Sequence, residues 1–134
     1  MKTQNYKSIA SKLDFEGRAF IDGKYVDAID GQKFENINPA TGEVLSTVAK
    51  CNYKDVDLAV KASRKAFESG VWSRSSPEFR KDILLKFAEL LRKHGEENSV
   101  LECVDTGKLI GDCIDEVADD APMHFQWYGE LIDK

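Results

Sequence analysis

Three cysteines (Cys51, Cys103, Cys113), two histidines (His94, His124) and the acidic run Asp115, Glu116, Asp119, Asp120 are the side chains with most capacity for chemistry here. A nucleophilic thiol needs a lowered pKa and a nearby base, and no cysteine has a His, Lys or Arg in its immediate helical surroundings. Cys103 falls on an apolar stripe and reads as core rather than nucleophile. The cysteines are odd in number, lack a CxxC pair and accompany only two histidines, so they read as reduced thiols and not as a disulfide framework or a zinc site. His94, before Gly95, suits a helix C-terminal cation or plain surface, and His124 lies near the apolar side of the last helix. The nine glycines form no GxGxxG and no GxxxxGK, and Gly107-Lys108 lacks the upstream loop of a phosphate cradle. Glu116 and Asp120 stand at i, i+4. In water they serve the helix dipole; facing a tunnel they would offer two carboxylates to a cation and select an amine.

The elements carrying these residues divide the chain into a β-rich first third and a helical remainder. Phe20-Ile21, Asp22-Gly23 and Tyr25-Val26 read as a hairpin closed by a type I′ turn, since Asp-Gly tolerates positive φ. A second Asp-Gly, Asp30-Gly31, precedes a segment from Phe34 to Asn38. After Pro39-Ala40-Thr41-Gly42, Glu43 to Ala49 suits a half-buried strand. Asn52 caps a helix with Asp55 at N3, and Val56, Ala59, Val60, Ser63 and Phe67 form one buried face that ends at Gly70. Ser75-Ser76-Pro77-Glu78 starts the next, with Ser75 capping and Glu78 reaching back, and Ile83, Phe87, Leu90 and Leu91 on its stripe. Lys93-His94-Gly95 closes it. Glu96 to Val104 adds a shorter amphipathic piece that Thr106-Gly107 breaks. Ile114, Val117, Ala118, Ala121, Phe125, Tyr128 and Ile132 then keep the helical period, with Pro122 either kinking that helix or marking its first turn.

The 134 residues carry 19 basic and 24 acidic side chains, a net charge of −5, and 42% hydrophobic residues, which is one ordinary soluble domain or a piece of a larger one. No apolar run exceeds three residues, which leaves no membrane span or signal-peptide core and makes a cytoplasmic location the expectation. The acidic balance, without a basic stripe, disfavours nucleic acid and anionic membranes as partners. Residues 1–18, with little periodicity, read as an N-terminal arm, mobile or docking, and 19–134 as the folded part.

Four motifs occur in one order: Phe20-Ile21-Asp22-Gly23-Lys24; Glu35-Asn36-Ile37-Asn38-Pro39-Ala40-Thr41-Gly42-Glu43-Val44; Asp55-Val56-Asp57-Leu58-Ala59-Val60-Lys61-Ala62; and Asp105-Thr106-Gly107-Lys108. Together they resemble the opening of an aldehyde dehydrogenase over about residues 19 to 134. Gly70-Val71-Trp72-Ser73-Arg74-Ser75-Ser76-Pro77, Gln126-Trp127-Tyr128 and Ile132-Asp133-Lys134 are most similar to the γ-glutamyl-γ-aminobutyraldehyde dehydrogenases of putrescine breakdown.

The resemblance implies an α/β fold: N-terminal β-hairpins followed by amphipathic helices, part of a Rossmann-like cofactor domain and incomplete as given. In that family a thiolate adds to the aldehyde, hydride leaves to NAD or NADP, and a glutamate activates water to give the acid. Neither the nucleophile, the base, the oxyanion asparagine nor the nucleotide loop has a counterpart here, and no role of that kind passes to Cys51, Cys103 or Cys113. Two sets of residues do carry over. Asn36 and Ile37 main-chain oxygens with the Asp105 carboxylate match a monovalent-cation site, while Asp105 capping a neighbouring turn is the alternative. Anchoring on Gln126-Trp127-Tyr128-Gly129 puts Glu116 and Asp120 at the mouth of the substrate tunnel, where aminoaldehyde-oxidising relatives use acids.

The expected function is that of an N-terminal segment of an NAD(P)-dependent aldehyde dehydrogenase, inactive alone. Its expected partner is the remainder of the subunit. The alternative is a stand-alone module that docks onto a full-length homologue. Either way, helices and hairpins without the sheet they cover should leave a large apolar area in water and favour association or a molten state.

Overall fold

The computed structural model describes residues 6–134, in two compact units. One comprises residues 15–37 and 42–75, the other 6–14, 38–41 and 76–134.

The β-containing unit opens with strands β1 (Ala19–Ile21) and β2 (Lys24–Val26), paired antiparallel with Phe20 opposite Tyr25. Asp22 (φ 51°) and Gly23 (φ 76°) are both left-handed, which is the type I′ turn expected of Asp-Gly. Strands β3 (Lys33–Ile37) and β4 (Val44–Ala49) form a second antiparallel pair. Their register slips between Asn36, opposite Ser46, and Ile37, opposite Val44, so Leu45 is the extra residue of a bulge. Helix α2 (Tyr53–Ser69) begins with the expected capping box and ends on Gly70 at φ 75°. Asp55 is buried because its carboxylate has two further tasks: it accepts from the Asn52 N–H at 2.8 Å and from the Ile29 N–H at 2.9 Å. The α2 stripe departs from expectation. Val56, Val60 and Phe67 are 55%, 58% and 64% exposed, since the periodicity marks a face that wants a partner and this unit supplies none.

The helical unit contains α1 (Tyr6–Ala10), α3 (Pro77–Lys93), α4 (Gly95–Thr106), α5 (Ile110–Cys113), a π-helical segment (Ile114–Asp120) and α6 (Ala121–Leu131). Helix α1 contacts α4 and falls within the segment 1–18 that the sequence marks as an arm; residues 1–5 lie outside the described residues. The cap of α3 is Ser76, one residue later than the sequence suggests. Pro77 takes N1, where its absent N–H costs nothing, so Ser76 Oγ accepts from the Phe79 N–H at 3.2 Å while Ser75 Oγ donates to the Trp72 carbonyl at 2.7 Å.

Helix α3 packs along α6. Phe87 and Phe125 meet edge to face at 4.7 Å, Arg92 donates to Gln126, and Lys81 pairs with Asp133 at 2.8 Å. Gly129 permits the approach, since a Cβ there would lie 3.2 Å from Leu84 Cβ. Pro122 is buried and neither breaks nor starts a helix. The π segment carries the chain into it, and the Ala121 N–H reaches the Glu116 carbonyl, so the wider turn absorbs the missing proline N–H. Ala88, Val100, Cys113 and Pro122 make the small centre of this unit. Among the described residues no helix is long and apolar enough to cross a membrane.

Candidate functional site

Glu116 and Asp120 both stand on the π segment and both are exposed. They differ in company. Gly107, left-handed at φ 76°, turns the chain after α4, and Lys108 Nζ reaches Glu116 Oε2 at 2.6 Å and Glu102 Oε1 at 3.4 Å. The Glu116 carboxylate lifts the Lys108 ammonium above its ordinary pKa of 10.5, with Glu102 adding to it. Glu116 is therefore already held by a cation. Asp120 contributes its backbone carbonyl to His124 Nδ1 at 2.8 Å. The sequence gave no signal for the lysine pairing, because Lys108 lies eight residues before Glu116 with a helix start between them. Only the left-handed turn brings it back.

The fourth motif, Asp105-Thr106-Gly107-Lys108, is built as a helix exit. Thr106 Oγ1 donates to the Glu102 carbonyl at 2.7 Å, and the Gly107 N–H bonds the Cys103 carbonyl at 3.0 Å. A Cβ at Gly107 would meet Pro39 Cγ at 2.9 Å, so this exit packs against the proline of the Asn38-Pro39-Ala40-Thr41-Gly42 turn. That turn is itself fixed by Asn38 Oδ1, which accepts from the Ala40 and Thr41 N–H groups at 2.8 and 3.3 Å.

The three residues matched to a cation site fall in different units. Asn36 and Ile37 lie at the bulge of β3 and β4, Asp105 at the exposed end of α4. A bulge interrupts the ladder, so main-chain oxygens there are directed differently from those of a regular strand, which is the donor type a hard monovalent ion takes. Among the described residues no group of three His, Cys, Asp or Glu side chains is arranged to hold a metal ion.

The cysteines sort by burial. Cys113 is fully buried, and burial pushes its thiol pKa up from the ordinary 9.0. Cys103 is half-buried and its thiol donates to the Lys108 carbonyl at 3.2 Å, which keeps the proton on sulfur. Cys51 is exposed beside the cap of α2. The core cysteine is thus Cys113 rather than Cys103. His94 ends α3 exposed, 3.8 Å from the Glu97 carboxylate. The described strands form two separate antiparallel pairs. No described strand runs through a glycine loop into a helix N-terminus, so these residues do not fit a dinucleotide cradle.

The model of the aldehyde dehydrogenase family matches residues 25–134. An aminoacetaldehyde dehydrogenase of Pseudomonas aeruginosa is 44% identical over the whole chain, which covers 27% of that relative. An NADP/NAD-dependent aldehyde dehydrogenase of Escherichia coli is 41% identical over 93% of the chain and 25% of the relative. The crystal structure of γ-glutamyl-γ-aminobutyraldehyde dehydrogenase from Burkholderia cenocepacia superposes with a TM-score of 0.92 at 44% identity, over 97% of this chain and 26% of that one. An indole-3-acetaldehyde dehydrogenase solved with NAD+ gives a TM-score of 0.91 at 40% identity over 96% of this chain and 26% of that one. The chain spans about a quarter of the length of these relatives, and its α/β architecture is that of their N-terminal portion.

Proposed function

Because the chain belongs to the aldehyde dehydrogenase family, we propose that it serves the NAD(P)-dependent oxidation of an aldehyde, with an aminoaldehyde as substrate, by supplying the N-terminal part of the cofactor-binding domain. The observation that carries this reading is the set of unpartnered apolar faces. Burying one large aliphatic or aromatic side chain is worth about 1.5–3 kcal/mol, and Val56, Val60 and Phe67 on α2 all await that burial. The remainder of an aldehyde dehydrogenase subunit is the surface that accepts them.

In this role the chain's residues position and select rather than react. A nicotinamide cofactor, when bound to the assembled enzyme, takes the hydride. Cys113 is buried with a raised pKa and Cys103 holds its proton, so neither is an activated nucleophile. Asp120 and Glu116 provide negative charge at the substrate entrance, with Lys108 holding Glu116 until an ammonium group competes for it. Asn36, Ile37 and Asp105 would hold a monovalent cation, fixing the bulge against the end of α4 in the assembled enzyme. The protein acts in the cytoplasm.

The test is complementation. The 134-residue chain alone, given aminoacetaldehyde or γ-glutamyl-γ-aminobutyraldehyde with NAD+ or NADP+, should reduce no cofactor. Co-expressed with a relative lacking its first quarter, it should restore turnover. Turnover by the chain alone, or a complemented relative that stays inactive while the two polypeptides co-purify, overturns the reading. The same α2 face favours a second reading, in which the chain docks on a full-length homologue. Inhibition of an intact enzyme by added chain would select it.

A further inference from the structure

The β-containing unit holds a groove that none of the residues above uses. Its floor is apolar: Ile21 and Val26 from the hairpin, Ile29 from the loop after it, and Leu58 and Ala62 from α2. Leu58, Lys61, Ala62 and Lys65 recur at i, i+3, i+4 and i+7, so α2 presents one face to this groove and its Val56, Val60, Phe67 stripe to another side. The groove encloses about 500 Å³, within the range of about 300–1,000 Å³ usual for small-molecule sites.

The rim is cationic. Lys24 comes from β2, and Lys61 and Lys65 come from α2. Among the described residues, none of these three ammonium groups is in an ion pair. The carboxylates on the same walls are largely committed. Asp55 is held by the Ile29 and Asn52 N–H groups, and Asp27 pairs with Lys33 at 3.3 Å, which leaves Asp22 in the turn. Three free ammonium groups against one free carboxylate stand over a floor in which Ile29 and Leu58 remain 52% and 48% exposed.

We propose that this groove binds an anionic amphiphile: a carboxylate-bearing molecule with an apolar body. The carboxylate lies between Lys61 and Lys65, one helical turn apart and so able to share one head group, with Lys24 opposite on the hairpin. The body covers Ile21, Ile29 and Leu58 and removes them from water. Each half of the ligand answers one half of the site, since an uncharged chain gains only the apolar burial and a small anion only the ammonium contacts. The proposal is independent of the aldehyde dehydrogenase reading.

The experiment is a titration of the full 134-residue chain with octanoate, followed by amide nitrogen–proton correlation spectra, with octanol as the uncharged control. Octanoate should bind saturably and shift amides of residues 19–26 and 58–65, and octanol should bind at least tenfold more weakly. Lys61→Gln with Lys65→Gln should weaken octanoate at least tenfold, while Arg64→Gln, whose guanidinium sits over Phe67 on another face, should change nothing. Equal binding of octanoate and octanol overturns the proposal, as do shifts centred on Val56, Val60 and Phe67, or an absence of saturation. The octanoate and octanol comparison needs no variant, so it decides even if the double substitution disturbs folding.

Discussion

Lys108 and Glu116, on opposite sides of a left-handed glycine turn and a helix start, meet at 2.6 Å and tie the exit of α4 to the π segment. The contact links the fourth family motif to the carboxylate most suited to an amine.

The pair predicts how Lys108 titrates. Its folded pKa is raised above 10.5 by Glu116. The contribution to stability is thus complete below that ordinary value and lost as pH rises through the higher folded one. Carbon NMR of the Lys108 side chain should show a midpoint above 10.5, and Glu116→Gln should move it down toward that value.

A second titration concerns Glu16, whose carboxylate accepts from Arg18 Nε at 2.8 Å and is held down to a pKa of about 2 by that side chain. The folded value lies below the ordinary 4.5, so the pair contributes above that pH and is lost as pH falls through about 2. Arg18→Met should return the Glu16 carboxyl to the ordinary range in an acid NMR titration.

Asp55 should be the costliest single carboxylate to remove. It closes the α2 capping box and also anchors the Ile29 amide. Asp55→Ala removes the cap and leaves buried N–H donors unpaired, a loss of about 2–3 kcal/mol, readable as a lower urea midpoint with faster exchange of the Ile29 amide.

Gly95 and Gly111 are both helical glycines but should respond oppositely to alanine. A Cβ at Gly95 would fall 2.8 Å from Ala118 Cβ, whereas one at Gly111 meets nothing within 4 Å. Gly95→Ala should destabilise by about 1–3 kcal/mol through overpacking, and Gly111→Ala should be neutral or stabilising by up to about 1 kcal/mol. Thermal or urea unfolding of the two variants checks this.

The exposed α2 stripe should govern association. Val60→Asp and Phe67→Ser remove apolar surface from water without opening the core, so they should lower dye binding and aggregation while changing unfolding by no more than about 0.5 kcal/mol. Analytical ultracentrifugation alongside the unfolding curve measures both.

Local chemistry was legible in the sequence wherever a short-range rule acts alone. Asp22-Gly23 dictated a type I′ turn, Asn52 and Asp55 a capping box, and Gly70 and Gly107 left-handed helix ends, because each depends on groups within a few residues. The family motifs were equally plain. Competition between neighbours blurred the next level: Ser75 and Ser76 both suit a cap, and Pro77 at N1 decides for Ser76. Periodicity located the Val56, Val60, Phe67 face but not its exposure, since amphipathicity states a demand for burial and only the tertiary structure says whether a surface meets it. The same holds for Pro122, carried by a π segment packed between α4 and α6, for the Lys108 clamp on Glu116, and for the lysine-rimmed groove over Leu58. These arise from contacts between residues far apart in the chain, and no spacing rule along the sequence encodes them.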